Sequence, residues 1–595
     1  KFNGGHNFSV FVGEEAIINK GEQMVLYGWG YEPTYDGESL FKHLGQYNAP
    51  AITQYIDPTD NMLSFFGKVN YDYKGRYYFT ATMRADASTR FSKENQWGYF
   101  PAASLAWRIS DEPWMQAASR AAKMSNLKLR LSYGVAGNNN VDLGYLHNDY
   151  TSSATTYISD KSFEHTSSIL AAGGSDKILA NPDLKWETTT TRDIGLDYGF
   201  FRDRLSGALD LYWNSTDDLI IKFKTPSFYN YQYRNVAETK NLGVEFSVKG
   251  VILEENSKKL NYDLTVDANI SANKNTVVSL GGMENYIVST GYLSAGHYGN
   301  DAEFLVEEGE SVGRIYGFET DGIYTANDFA SYDVTNMKWL DASGNPIETP
   351  VGITTVDGGT KTYAYPGLLK LKDKNGDGKI NSDDRTIIGC TMPDFTGGFS
   401  ISGHVGGESW GSVDAALNFT YSYGNDVLNL TGMRMSMIQD KTKLRNTLAT
   451  TSYSNRYSLF KADGTYIPAG YSGVVTGEAY TNLANELASY NAGKTQYNPV
   501  MSNSVITDQC VEDGSFLRLA NLTIGYSLPD KWISKAHITK ARIFFTASNL
   551  FVLTKYTGSD PEVDTGTKVN PLAIGVDYSA YPKSRAFNFG LNLSF

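Results

Sequence analysis

The sequence predicts an all-β protein, an antiparallel transmembrane β-barrel with long extracellular loops. Three observations carry that prediction: the spacing of apolar residues along the chain, the length of the runs that share it, and the composition. In Leu260 to Asn273, Leu260, Tyr262, Leu264, Val266, Ala268, Ile270 and Ala272 face one way, while Asn261, Asp263, Thr265, Asp267, Asn269, Ser271 and Asn273 face the other. A strict two-residue period is that of a strand with one apolar and one polar face. Runs this long exceed an ordinary soluble strand and match the roughly 9–11 residues that cross a bilayer at a tilt.

Composition agrees. With 41 Tyr, 29 Phe and 9 Trp the chain is 13% aromatic, yet its mean hydropathy is −0.35. One greasy face per strand, aromatic girdles and a polar interior give that combination. No stretch approaches 18 consecutive apolar residues, which argues against membrane-spanning helices. The net charge of −13 argues against nucleic acid as a partner, because phosphate binding needs clustered Lys and Arg.

Taken in order, spanning strands are expected near 8–16, 61–73, 77–88, 98–109, 126–137, 187–198, 204–215, 240–251, 260–273, 395–405, 409–423, 514–526, 541–553 and 583–595. The last carries Phe587, Phe589, Leu591, Leu593 and Phe595 on one face and ends on an aromatic. Connectors alternate between short and long. Tyr73-Lys74-Gly75-Arg76, Phe200-Phe201-Arg202-Asp203 and Gly406-Gly407-Glu408 are short; 17–60, 138–186, 274–394 and 424–513 are long and rich in Gly, Asn, Ser, Asp and Tyr. With the C-terminus in the periplasm, every long connector falls outside the cell. The segment 306–324 is left within an outer loop, since a spanning strand there breaks the alternation. Glu112 to Met124 is a weak helix candidate on the periplasmic side.

Several segments resemble one family, the SusC-like TonB-dependent transporters (SusC/RagA family) of Bacteroides-type Gram-negative bacteria. The nearest is NLFVLTKYTGSDPEV at 549–563; the others are VEDGSFLRLANLTIGYSLP at 511–529, WGYFPAASLAWRISDEPWM at 97–115, LKLRLSYGVAGN at 127–138 and the run 181–220. Ala237 departs from the glycine usual in that family. The resemblance implies a 22-stranded barrel, of which residues 1–595 form the C-terminal portion with about fourteen strands, while the plug, TonB box and first strands are expected upstream of Lys1. It also implies active import of a large nutrient across the outer membrane, an oligosaccharide first and an oligopeptide second. A SusD-like surface lipoprotein would cap the barrel, TonB would energise it through the upstream part, and SusC–SusD pairs would associate as a dimer in outer-membrane lipid. A passive porin and a secreted calcium-binding adhesin of soluble β domains are the alternatives.

One motif suggests a metal. Asp373-Lys374-Asn375-Gly376-Asp377-Gly378-Lys379-Ile380-Asn381-Ser382-Asp383-Asp384 matches a loop with glycine at its sharp turn. Asp373, Asn375, Asp377, the Lys379 carbonyl and Asp384 would ligate Ca²⁺, or Mg²⁺ given the short closing Asp; the alternative is a solvated acidic turn. No enzymatic activity is expected. G-x-S-x-G occurs at 309–313 and 407–411, but neither serine sits between a strand and a helix. Asp86, Asp263 and Asp267 belong to polar faces and read as wet wall residues. Phe228, Tyr229, Tyr231 and Tyr233, and Tyr27, Trp29 and Tyr31, are two aromatic groups in outer segments suited to stacking on sugars or to packing in the girdle. Cys390 and Cys510 allow either a disulfide or two free thiols.

Overall fold

The computed structural model describes all residues except 1–3, 30–47, 57–59, 143–144, 147–149, 160–161, 172–177, 226–230, 258, 293–302, 355–361, 437–445, 500–504 and 569. Fourteen long strands follow one another in hydrogen-bonding order as in sequence. They are β1 His6–Asn19, β2 Asp60–Tyr73, β3 Tyr77–Ser88, β4 Trp97–Arg108, β5 Met124–Asn138, β6 Glu187–Phe200 and β7 Leu205–Lys224. The series continues with β8 Tyr231–Asn256, β9 Asn261–Leu280, β10 Phe395–Gly407, β11 Gly411–Tyr423, β12 Phe516–Ser527, β13 Lys540–Thr554 and β14 Ala586–Ser594. Each expected strand is present. β7 ends nine residues beyond the expected 215, and β8 begins nine before the expected 240 and ends five after 251, because pairing continues where apolar alternation stops at Thr216-Asp217-Asp218. Tyr231 and Tyr233 thereby lie in a strand, not a loop. The segment 306–324 holds only short strands outside this series. The helix expected at 112–124 is confined to Gln116–Ala121, after a 3₁₀ turn at Ile109–Asp111.

The chain divides into two compact units, 1–198 with 210–240, and 199–209 with 241–595. In the first, register turns alternation into rows. Phe8, Tyr71, Phe79, Leu105 and Leu131 are cross-strand neighbours. One residue along, Ser9, Asn70, Thr80, Ser104 and Ser132 form the polar row. On the apolar face, Phe65 stacks with Trp97 at 6.3 Å near one end of the strands, and Trp107 meets Trp114 at 6.4 Å near the other. Ten residues separate Trp97 from Trp107, which on a tilted strand is about 25 Å, the height of the apolar band of an outer-membrane barrel. Turns on one edge are tight: Gly75, at φ +65°, follows Lys74 at +56°, and Asp72 Oδ1 accepts the Gly75 N–H at 2.7 Å. A side chain with a Cβ resists that left-handed geometry, which glycine tolerates.

The second unit repeats the pattern. Leu264, Gly403, Ala415, Ile524, Phe545 and Phe589 form an apolar row. Asp267, Ser400, Asn418, Asn521 and Ser548 form a polar one. Its long connectors, 281–394, 424–515 and 555–585, leave the same edge and share a buried core. Phe304, Leu368, Leu428, Leu430, Leu483, Leu487, Ala573 and Val576 are all fully buried there. A helix at Gly477–Tyr490 packs Tyr480, Leu483, Ala484 and Leu487 inward, and Tyr480 donates to the Ala326 carbonyl at 2.6 Å. Thus the apolar side chains of the connectors are interior and those of the strands are exterior; Ile524 and Phe589 remain 45% and 82% exposed. Packed soluble sheets do not leave such rows open, so soluble β domains are excluded.

The row geometry predicts that Ile524→Arg costs about 2–4 kcal/mol for refolding into phospholipid vesicles, whereas Ser400→Lys on the polar row costs little. Denaturant titration of both variants checks the asymmetry.

Candidate functional site

The polar faces carry paired charges. In the first unit Arg84 Nε donates to both Asp86 oxygens at 2.8 and 2.9 Å, and Nη2 reaches Glu15 at 3.2 Å. Asp86 is therefore half of an ion pair. Arg130 binds Asp197 at 2.9 Å and Asp210 at 2.6 Å. In the second unit Arg542 Nε donates to Asp414 at 2.9 Å, and His404 Nδ1 contacts Asp263. Asp267 pairs across the strand with Ser400. Interleaved charges of both signs suit a wet surface over which a polar solute slides, because no long single-sign field holds it.

Above the wall of the second unit, the segments 511–529 and 549–563 form a clasp on the outer connectors. Val511–Asp513 pairs with Asp426–Leu428 of the strand Asp426–Asn429, whose Leu428 and Asn429 pair in turn with Val576 and Asp577. Glu512 accepts Asn429 Nδ2 at 2.8 Å and both the backbone and hydroxyl of Thr557 at 2.8 and 2.9 Å. Buried Arg518 donates to Asp560 at 2.6 Å; its Nε lies 2.6 Å from Glu562, an electrostatic contact off the line of a hydrogen bond. Glu562 also meets Lys583 at 2.9 Å. Tyr556 donates to Asp577 at 2.6 Å, and burial, then that carboxylate, raise its pKa. Asp426 accepts the Cys390 N–H at 2.8 Å and is itself raised by burial. These residues lie far apart in sequence, and no short motif announces their union. The helical i, i+3, i+4, i+7 spacing of Tyr480, Leu483, Ala484 and Leu487 was the readable signal for the connector core.

The motif 373–384 is a closed turn. Asp373 accepts the Gly376 and Gly378 N–H groups at 2.7 and 2.8 Å, Asn375 that of Asp377 at 2.9 Å, and Asp377 that of Lys379 at 2.8 Å. Asp384, fully buried, accepts Lys374 N at 2.9 Å and Asn381 N at 2.8 Å. The oxygen chemistry fits a hard cation, but each of these side chains already serves the backbone, and no three His, Cys, Asp or Glu among the described residues converge on one point.

The aromatic groups do not form a single surface. Tyr233 stacks on Tyr145 at 3.8 Å, and Lys222 sits 4.0 Å over Tyr231. Phe228, Tyr229 and Tyr31 lie outside the described residues, while Tyr27 and Trp29 belong to a strand, Glu22–Trp29, paired with Asn48–Ile56. Both cysteines are free thiols, Cys510 being buried beside Thr507 at 3.7 Å. Ser409 lies in the β10–β11 turn, and Ser311 approaches Cys390 at 3.8 Å.

A meander of long two-faced strands with polar charges on one face and folded connectors on one edge is the wall of an outer-membrane barrel. The TonB dependent receptor-like, beta-barrel family model matches residues 2–550, and the chain belongs to that family. TonB-dependent receptor P3 of Formosa agariphila is 29% identical over 91% of the chain and 46% of its own length. TonB-dependent receptor SusC of Bacteroides thetaiotaomicron is 28% identical over 100% and 49%. The chain thus spans about half the length of the curated relatives it matches. Among solved structures, the RagAB peptide transporter superposes with a TM-score of 0.66 at 22% identity, over 99% of this chain and 54% of that one, which establishes the shared fold.

In the connector core Glu303 is fully buried and accepts Thr290 N and Oγ1, both at 2.7 Å. Burial raises its pKa above the ordinary 4.5, against the opposing Thr290 bonds. A raised carboxylate binds its proton better in the fold, so its contribution is full below the unfolded pKa and is lost as pH rises through the folded one. Protection of the strand Phe304–Val306, taken as its exchange rate relative to the intrinsic rate at the same pH, should therefore be greater at pH 4 than at pH 7, and Glu303→Gln should flatten that difference.

Proposed function

We propose that this chain is the barrel wall and outer connectors of an outer-membrane importer, energised through TonB, that takes up a large nutrient captured with a SusD-like surface lipoprotein. The observation that carries this reading is the pairing of a charged, polar wall face with connectors that fold into one buried core on a single edge. A passive pore needs no such built-up outer structure, whereas a capture site that opens and closes over a bulky solute does. The kinship with SusC and the fold shared with the RagAB peptide transporter support the same reading. Oligosaccharide is the first substrate class and oligopeptide the second. Paired importer–lipoprotein units associate as a dimer, and the chain carries no catalytic step.

Uptake of labelled oligosaccharides and oligopeptides by cells, with and without the gene, tests this. The expected result is gene-dependent uptake of a glycan, abolished by a proton uncoupler, with a surface lipoprotein co-purifying in mild detergent. Uncoupler-resistant uptake would replace the importer with a passive pore, and peptide-only uptake would reverse the substrate order.

The turn 373–384 is, on this reading, a weak structural calcium site stiffening the outer connector. Millimolar calcium, the range of extracellular sites, should then slow hydrogen exchange across 373–384 in the wild type but not in Asp377→Ala. Equal exchange with calcium and with chelator would leave it a plain hydrogen-bonded turn.

A further inference from the structure

The outer end of the wall in the second unit carries a groove that nutrient import leaves unused. Its volume is about 610 Å³, and Phe395, Tyr421, Tyr423, Leu517, Leu553 and Lys555 line it. Register places its parts. Leu517 on β12 lies between Tyr421 on β11 and Leu553 on β13, and Tyr421 leans the other way, over Gly397 of β10. Strands about 4.8 Å apart set Tyr421 and Leu553 about 9.6 Å from each other across Leu517, room for one hydrocarbon chain along β12.

Parity puts the groove on the lipid side. Tyr421 and Tyr423 share a face of β11 with Ala415, the neighbour of Ile524 in the apolar row. The rings are held in place: Tyr421 donates to the Asn269 carbonyl at 2.8 Å, and Phe395 stacks on Tyr423 at 5.0 Å and 17°. At the mouth, where β13 ends, the Lys555 side chain is 87% exposed, with Nζ 3.9 Å from Asp513. Aromatic rings with a lysine reaching past them mark the membrane–water boundary.

We propose that this groove binds one acyl chain of a phosphorylated glycolipid of the outer leaflet, with its phosphate at Lys555 and a sugar hydroxyl at Asp513. The mixed rim selects that headgroup. A phosphate alone meets a carboxylate as well as a cation, whereas a phosphorylated sugar satisfies both, one by charge and the other by a hydroxyl donating to the carboxylate. The inference rests on the reading of the strands as an outer-membrane wall.

The test is native mass spectrometry of the full-length protein in mild detergent, titrated with diphosphorylated lipid A, its dephosphorylated form, or phosphatidylglycerol. Diphosphorylated lipid A should bind at one per chain in preference to the others. Leu517→Trp, which fills the channel, should weaken it about tenfold, and Lys555→Glu about fivefold, the scale of one cation at a charged lipid surface. Unboiled gel migration reports folding of each variant. Equal retention in wild type and both variants, equal binding of all three lipids, or a change of oligomeric state in Leu517→Trp without lipid loss would overturn the proposal. A wild type that is soluble without detergent would instead overturn the wall reading beneath it.

Discussion

Everything in this molecule follows from one constraint: a backbone placed in hydrocarbon must pair every N–H and C=O internally. A meander of antiparallel neighbours achieves that while leaving side chains free to differ between faces. The rows through Ile524 and through Ser400 run along the same strands, one residue out of step, so a shift of one position would turn carboxamides to lipid and leucines to water. In the second unit the long connectors are then compelled to one edge, because the short turn between β10 and β11 and its counterparts occupy the other.

That edge solves a second problem. Connectors of this length carry an ordering cost of about 1–2 kcal/mol per residue fixed, and the second unit meets it by burying apolar surface around Phe304, Leu430, Leu483 and Val576. The clasp joins this core to the strands. Glu512 belongs to the segment entering β12 and Arg518 to the start of that strand, and both bind the connector that leaves β13. These are among the segments whose sequence resembles the SusC-like transporters, and the structure gives them a mechanical role rather than a chemical one. Removal of Arg518 alone would leave Asp560 buried without its cation, which is how a single residue comes to hold a connector in place.

Much of this was legible in the chain. Period-two alternation located all fourteen strands, since lipid and a wet interior impose opposite demands on adjacent residues. It failed at the strand ends of β7 and β8, where pairing continues past the point at which apolar alternation stops. The connector core was hidden for a different reason. Its strands are two to seven residues long and its contacts join positions more than a hundred apart, such as Tyr480 with Ala326. The helix at 477–490 alone carried a readable period. The turn at 373–384 was visible as a turn, and the hydrogen bonds to Asp373 and Asp384 account for its residues with or without an ion. The contacts of Arg84 with Glu15 and of Arg130 with Asp197 and Asp210 depend on strand register, which side-chain pattern alone does not assign.

The most direct test is a nitroxide scan through Val413 to Tyr423 on β11 in lipid vesicles, measuring collisions with oxygen and with a water-soluble nickel chelate. The account predicts a two-residue oscillation with the two reagents out of phase, oxygen highest at Val413, Ala415, Leu417 and Phe419 and nickel highest at Asp414, Ala416, Asn418 and Thr420. Uniform nickel access along the strand, or oscillations in phase, would contradict it.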